Sequence, residues 1–330
     1  MTYTSIDQIF NDFNNLKVLI IGDVMVDAYI WGAIDRISPE APVPVVRATK
    51  RDYRLGGAAN VALNIDALGA KPILCAIIGE DDTADKLKGR LVERGMATEG
   101  LVSSAGRPTT VKTRIISGHQ HVVRVDEEVD KEISGADEKQ LMARIDELLP
   151  KVDVVVFEDY DKGVITKKII KHTVELGQKH NIPTVVDPKK RHFLSYKGVT
   201  VFKPNLKELK EGLKLDFDKQ DQPAIEKAVD TLIDKIECDG ALITLSERGV
   251  YVKYNGEAHL IPAHMREISD VSGAGDTVIS LVALAVALKL SPYMVAALSN
   301  LGGGLVCEHV GVVPIDKEEL KKEAEKQNWL

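Results

Sequence analysis

Lys17-Val-Leu-Ile-Ile-Gly22, followed at once by Asp23, is the stretch on which the fold turns. A short apolar run without alternation, closed by glycine and an acid, reads as a strand covered on both faces, as in a parallel sheet. Similar runs recur at 72–78, 152–157, 183–186, 199–202 and 241–245. Segments of helical periodicity lie between most of them, at 58–68, 82–94, 138–149, 166–180 and 223–236. Strands that alternate with helices build βαβ units. The expected fold class is therefore α/β, with a mostly parallel central sheet and helices on both faces.

Two stretches break the rhythm. Residues 28–49 and 108–125 carry strand-like runs with mixed faces, and Ser117-Gly118-His119-Gln120 is a plausible turn. They are expected to form one small antiparallel sheet projecting from the core. Such a flap could cover a ligand, and its exposed apolar face could pair with a second copy of the chain.

Composition narrows the function. The 330 residues suffice for one large domain, taken here as 1–330 with the flap as part of it. A formal net charge of −7 argues against a nucleic-acid partner. A small anionic ligand stays compatible, because local basic groups can override the net charge. Cys75, Cys238 and Cys307 are scattered and odd in number, which points to buried thiols in a reducing, cytoplasmic setting. The N-terminus is polar and does not read as a signal peptide. The apolar run 278–290, about 13 residues, suits a buried helix and is too short to span a membrane. No linker, low-complexity tract or clear repeat stands out. Asp316-Lys-Glu-Glu-Leu-Lys-Lys-Glu-Ala-Glu-Lys326 reads as a solvated terminal helix.

The segment Asp270-Val-Ser-Gly-Ala-Gly-Asp276 precedes that apolar helix. Gly273 and Gly275 allow a tight turn and close backbone approach to a ligand. The N–H groups around Ala274 and Gly275 then lie at a helix N-terminus, a natural anion site. Asp276 would stand in the first turn, placed to accept a proton from an attacking hydroxyl. A plain helix cap explains the same residues equally well. No Gly-x-x-x-x-Gly-Lys-Ser/Thr loop is present, and Gly22-Asp-Val-Met-Val-Asp27 lacks the glycines of a dinucleotide fingerprint.

Four segments in order resemble the ribokinase-like, or PfkB, carbohydrate kinases over nearly the whole chain. They are Gly22-Asp23 with Asp27, Gly56-Gly57-Ala-Ala-Asn60-Val-Ala, Asn205-Leu-Lys-Glu208 and Asp270 to Asp276. Within the family, Arg36-Ile-Ser-Pro-Glu-Ala-Pro-Val-Pro-Val-Val46, Asp159-Tyr-Asp-Lys-Gly163, Val186-Asp-Pro-Lys189 and Phe202-Lys-Pro-Asn205 resemble the D-glycero-β-D-manno-heptose-7-phosphate kinases. That resemblance implies transfer of the ATP γ-phosphoryl to the anomeric hydroxyl, giving the 1,7-bisphosphate of the ADP-heptose route to lipopolysaccharide cores. It implies ATP and Mg²⁺ as cofactors, a cytoplasmic setting and a homodimer through the flap. Many relatives are fused to a nucleotidyltransferase. With no His-x-Gly-His up to Leu330, the kinase alone is expected. The alternatives are another PfkB-type kinase acting on ribose or fructose phosphate, and a non-catalytic nucleotide- or sugar-binding regulator.

The resemblance assigns roles. Asp276 becomes the base, with Gly273, Ala274 and Gly275 as the anion loop. Asp27, Gly56, Gly57 and Asn60 meet the sugar, although Asp27 also reads as a turn aspartate and the glycines as a turn into a helix. A phosphorylated sugar needs basic partners, and Lys112, Arg114, Arg124, Lys162 and Lys189 are the candidates, with Arg114, Arg124 and Lys162 favoured. Lys112 and Arg114 share a strand face by period two. Asn205 and Glu208 match a motif that positions phosphate and Mg²⁺, the metal held indirectly through Glu208. Their spacing is also that of a capping box. Thr244, Ser246, Glu247 and Gly249 would line the nucleotide, and Asn300 and Gly303 its adenine. His264 could contact nucleotide or phosphate. Asn300 and Gly303 also suit close helix packing, and a lone His is often structural.

Overall fold

The computed structural model describes residues 3–327 and 329, apart from His119 and Met265, so the turn read at 117–120 lies partly outside the described residues. The strands are β1 (Lys17–Gly22), β2 (Val24–Ile37), β3 (Pro44–Gly57), β4 (Lys71–Gly79), β5 (Leu101–Ser104), β6 (Thr110–Ser117) and β7 (Gln120–Glu127). They continue with β8 (Val154–Glu158), β9 (Thr184–Asp187), β10 (Val201–Phe202), β11 (Gly240–Thr244), β12 (Val250–Tyr254) and β13 (Glu257–Ile261).

The large sheet has the order β13-β12-β11-β10-β9-β8-β1-β4-β5. Every pairing from β11 to β5 is parallel. β12 and β13 extend the other edge as antiparallel strands. The apolar run of β1 is buried throughout, and its alternation explains why both faces must be covered. Val18 and Ile20 pack with helices Ile6–Phe13, Ala58–Ala67, Asp82–Glu93, Ala274–Ala287, Pro292–Val306 and Lys317–Glu325. Leu19 and Ile21 pack with Gly135–Leu148, Lys167–His180, Leu206–Leu213 and Gln222–Ile236. The helices expected from periodicity are present, shifted at their ends by up to three residues. Ile6–Phe13 was not read from the sequence, and Pro292–Val306 was read only as the helical stretch that carries Asn300 and Gly303. Among the described residues, no helix is long and apolar enough to cross a membrane.

The small sheet has the order β3-β2-β6-β7. It consists of two antiparallel hairpins, β2–β3 and β6–β7, joined by a parallel β2–β6 pairing. Its strands also run further than 28–49 suggests, because β2 leaves the core directly from β1 through Asp23 and β3 returns to Gly57. Ile34, Ile37, Val123 and Val125 remain exposed on it.

Where β1 meets β8, the two strands approach so closely that Gly22 is required. A Cβ there would collide with the carbonyl oxygen of Glu158 and lie 3.1 Å from its Cβ. Gly22→Ala is expected to cost about 3 kcal/mol of stability through this backbone clash. Gly89→Ala, at an exposed position of the helix Asp82–Glu93 with open space around the new methyl, is expected to gain about 0.5–1 kcal/mol. Urea midpoints of the two variants check this, and equal midpoints would remove the claim.

Candidate active site

The helix Ala274–Ala287 starts at Gly273, whose φ of 82° lies in the left-handed region that glycine adopts freely. The Ala274 N–H turns back onto the Val271 carbonyl at 3.3 Å. This differs from the expected anion loop, because the Ala274 N–H is already engaged. Gly275 faces Asp187 and Lys203, and a Cβ there would lie in ordinary contact with them at 3.6 and 4.0 Å.

Asp276 follows in the first turn and is buried. Its Oδ2 accepts a hydrogen bond from Asn60 Nδ2 at 2.6 Å, and its Oδ1 accepts one from the Tyr160 hydroxyl at 2.9 Å. Asn60 arrives from the helix Ala58–Ala67, which starts directly after Gly56-Gly57. Gly57, at φ 58°, turns the chain, and side chains on this pair would collide with Asp27 and with the Asp23 carbonyl. Burial raises the Asp276 pKa to about 6, and nearby Asp187 adds to this, while Asn60, Tyr160 and Lys203 act the other way. A carboxylate with such a pKa can take up a proton near neutral pH.

Beneath Asp276, β8 and β9 end side by side with Glu158 and Asp187 in register. Asp187 pairs with Lys203 at 2.8 Å and with Lys189 at 3.5 Å. Burial opposes its charge, but the two ammonium groups outweigh it and hold the pKa below the usual range. Glu158 is fully buried, and neither oxygen has a partner among the described residues. Burial, then Asp187 and Asp276, push its pKa well above that of an ordinary glutamate.

Asn205 and Glu208 form a complete capping box, with both bonds at 2.8 Å. The second Glu208 oxygen pairs with Lys189 at 3.1 Å. Lys189 therefore belongs to the Asp187–Glu208 cluster, not to the flap cations with which it was grouped from sequence.

On the flap side, the buried Asp27 of β2 pairs with Arg114 of β6. Lys112 bonds Asp126 at 3.2 Å and Glu128 at 2.9 Å, and Lys162 bonds Glu128 at 2.7 Å. Arg124 stands opposite Arg114 in the β6–β7 register but turns to Asp126, and its side chain is 56% exposed. Arg114, Lys112 and Lys162 thus gather around Asp27 and Glu128, while Arg124 stays at the margin.

The nucleotide-side candidates lie at the β11 edge. Thr244 bridges to Asn205 and donates its N–H to the Pro204 carbonyl at 3.2 Å. Ser246 adopts φ 54° and lines a cavity of about 580 Å³ with Leu206, Lys210 and Lys219. Glu247 is tied outward to Lys219 at 2.9 Å. Gly249, at φ 91°, packs against the Ile261 carbonyl. Asn300 donates to the Pro262 carbonyl at 2.8 Å, and Gly303 lets its helix approach Val278, where a Cβ would lie 2.7 Å from the side chain. His264 is half-buried, its Nε2 has no partner among the described residues, and burial and then Arg266 lower its pKa.

Tyr160, Glu158, Asp187 and Lys203 were missed as site residues, although Asp159-Tyr-Asp-Lys-Gly163, Val186-Asp-Pro-Lys189 and Phe202-Lys-Pro-Asn205 had marked their neighbourhoods. Nothing local says that these strand ends converge on Asp276.

An α/β sheet whose strand ends converge on a carboxylate at a helix start, beneath a β flap, defines a class. Residues 15–318 match the pfkB family carbohydrate kinases, and the chain belongs to that family. It is 38% identical over 316 residues to the bifunctional protein HldE of Desulfatibacillum aliphaticivorans, covering 96% of this chain and 64% of that protein. It is 40% identical over 309 residues to HldE of Caulobacter sp. (strain K31), covering 93% and 62%. The chain thus spans less than two thirds of these relatives' length. In fold it is similar to phosphofructokinase-2 from Escherichia coli in complex with fructose-6-phosphate, with a TM-score of 0.76 and 15% identity over 93% of this chain and 98% of that one. It is also similar to Arabidopsis thaliana ribokinase complexed with ribose and ATP, with a TM-score of 0.70 and 17% identity over 93% and 99%.

Proposed function

We propose that the chain phosphorylates the anomeric hydroxyl of D-glycero-β-D-manno-heptose 7-phosphate at the expense of ATP, within ADP-heptose and lipopolysaccharide-core synthesis. The observation that carries the reading is Asp276, a buried carboxylate at a glycine-led helix start with its pKa raised to about 6. Support for a phosphorylated sugar comes from Arg114 on Asp27, from Lys112 and Lys162 on Glu128, and from the similarity to the HldE proteins.

Asp276 takes the proton as the sugar oxygen attacks the γ-phosphorus and the bond to the ADP oxygen breaks. The Gly275 N–H and the helix N-terminus stabilise the charge on the transferring group. Asp27 orients sugar hydroxyls, and Arg114 with the neighbouring lysines faces the substrate's own phosphate.

The donor set suits a magnesium ion held through water. Both Glu208 oxygens are engaged, and no cluster of three or more acidic, His or Cys groups able to hold a metal occurs among the described residues. When bound with ATP, Mg²⁺ would neutralise charge on the phosphate oxygens. The exposed apolar side chains of the flap suit pairing with a second copy, and the kinase is read as one domain in the cytoplasm.

Coupled ADP release with heptose 7-phosphate, ribose and fructose 6-phosphate tests this reading. The expected result is kcat/KM at least about 100-fold higher for the heptose phosphate. Preference for another sugar moves the assignment to that sugar, and no turnover with any moves it to a binding protein.

A further inference from the structure

Apart from Lys162, the loop 159–163 has no part in the transfer described above, yet its geometry is heavily specified. Asp23, at the end of β1, accepts the N–H groups of Tyr160 at 2.8 Å and of Lys162 and Val164 at 3.1 Å. Asp159 accepts the Asp161 N–H at 2.8 Å and the Tyr196 hydroxyl at 2.7 Å. Asp161 itself sits at φ 56°, a left-handed conformation that this bonding must hold in place. The loop is thus fastened to β1 and β8, and it delivers one side chain to the base. The Tyr160 hydroxyl lies 2.9 Å from Asp276 Oδ1, and its ring is flanked by the Lys189 ammonium at 5.4 Å from the centroid.

We propose that Tyr160 is a positioning residue for the base: its O–H fixes the Asp276 carboxylate and stabilises its charged form. This rests on the reading of Asp276 as the base.

The surroundings show why such a donor is needed. Glu158 from β8 and Asp187 from β9 face Asp276 with acidic groups, and Lys189 and Lys203 are drawn to Asp187. Among the described residues, the side chains that donate to the Asp276 carboxylate oxygens are Asn60 and Tyr160. A phenol can serve here only while it keeps its proton. Burial, followed by Asp276 and Glu158, pushes the Tyr160 pKa well above that of an ordinary tyrosine, so it remains a donor throughout the working range.

Tyr160→Phe keeps the ring and removes the donor. Losing a donor to the charged form raises the pKa of the carboxylate, so the acid limb of kcat/KM must move up. The expected shift is about one pH unit, which lowers the rate about fivefold near pH 6, approaches tenfold below it, and leaves the rate within about twofold near pH 8.5. The assay uses the best sugar found in the substrate panel, with melting temperature and ATP affinity followed in parallel. An acid limb that stays in place overturns the proposal, even if kcat falls. If Tyr160→Phe does not fold, the wild-type chain made with 3-fluorotyrosine serves instead. Its phenol is the stronger donor, so the limb must move down, and an unmoved limb again overturns the proposal. Asp276→Asn separates the two readings. Activity that survives it removes the base assignment itself, whereas its loss together with an unshifted Tyr160→Phe profile removes only Tyr160.

Discussion

Asp276→Asn is expected to lower kcat by about 10²–10⁴-fold while ATP binding persists. The substitution keeps the size of the side chain and its place in the first helical turn, but an amide cannot accept the proton. It should also change stability in a direction that identifies the group. A pKa raised from 3.8 to about 6 means that ionising this carboxyl in the fold costs on the order of 3 kcal/mol. The stabilisation of the neutral form is fully present below the unfolded value and is lost as pH rises through about 6. The Asn variant should therefore melt above the wild type near pH 8 and close to it near pH 4. Stopped-time ADP release and paired melting curves give both readouts. Near-normal turnover would refute the base assignment.

Arg114→Glu is expected to raise KM for the sugar phosphate by about 100-fold or more and to leave KM for ATP unchanged. Arg114 is paired with a buried carboxylate, so reversal places two acids side by side as well as removing the proposed partner of the substrate's phosphate. Arg114→Lys keeps the charge but loses the planar fork, and should fall between. Arg124→Glu should do less, because that guanidinium is largely exposed and already turned to Asp126. An unchanged sugar KM in Arg114→Glu removes the residue from the site.

Much of the sheet was legible because its strands are buried on both sides. Runs such as Val18 to Ile21 cannot be confused with a half-exposed strand, and their order with the intervening helices dictates parallel pairing. The flap strands were legible for their mixed faces. Their parallel joint was not, since β2 and β6 meet across a long sequence separation that leaves no periodic trace. The helix Ile6–Phe13 was missed because it is short, and the β12–β13 edge because β13 is largely exposed and forms no continuous apolar run.

At the site, Asp276 and Asn60 carried recognisable glycine-rich surroundings. Glu158, Asp187 and Lys203 did not, because a charge at the end of an apolar strand looks like an ordinary strand boundary. Only the three-dimensional register brings those charges into one buried group. The capping box at Asn205 and Glu208 shows the limit from the other side. One spacing satisfies a helix end and, through Lys189, also reaches the charged cluster.

The uninterrupted passage from β1 through Asp23 into β2 has a mechanical consequence. Asp27 lies on the inner part of β2, before the irregularities at Trp31/Gly32 and Ile34/Arg36. Any bending of the flap is therefore concentrated beyond Trp31, where the ladder is broken. The root of the flap is an anvil continuous with the central sheet, and its tip is where a jaw would give. Asp27 and its partner Arg114 both stand on the anvil side of those breaks.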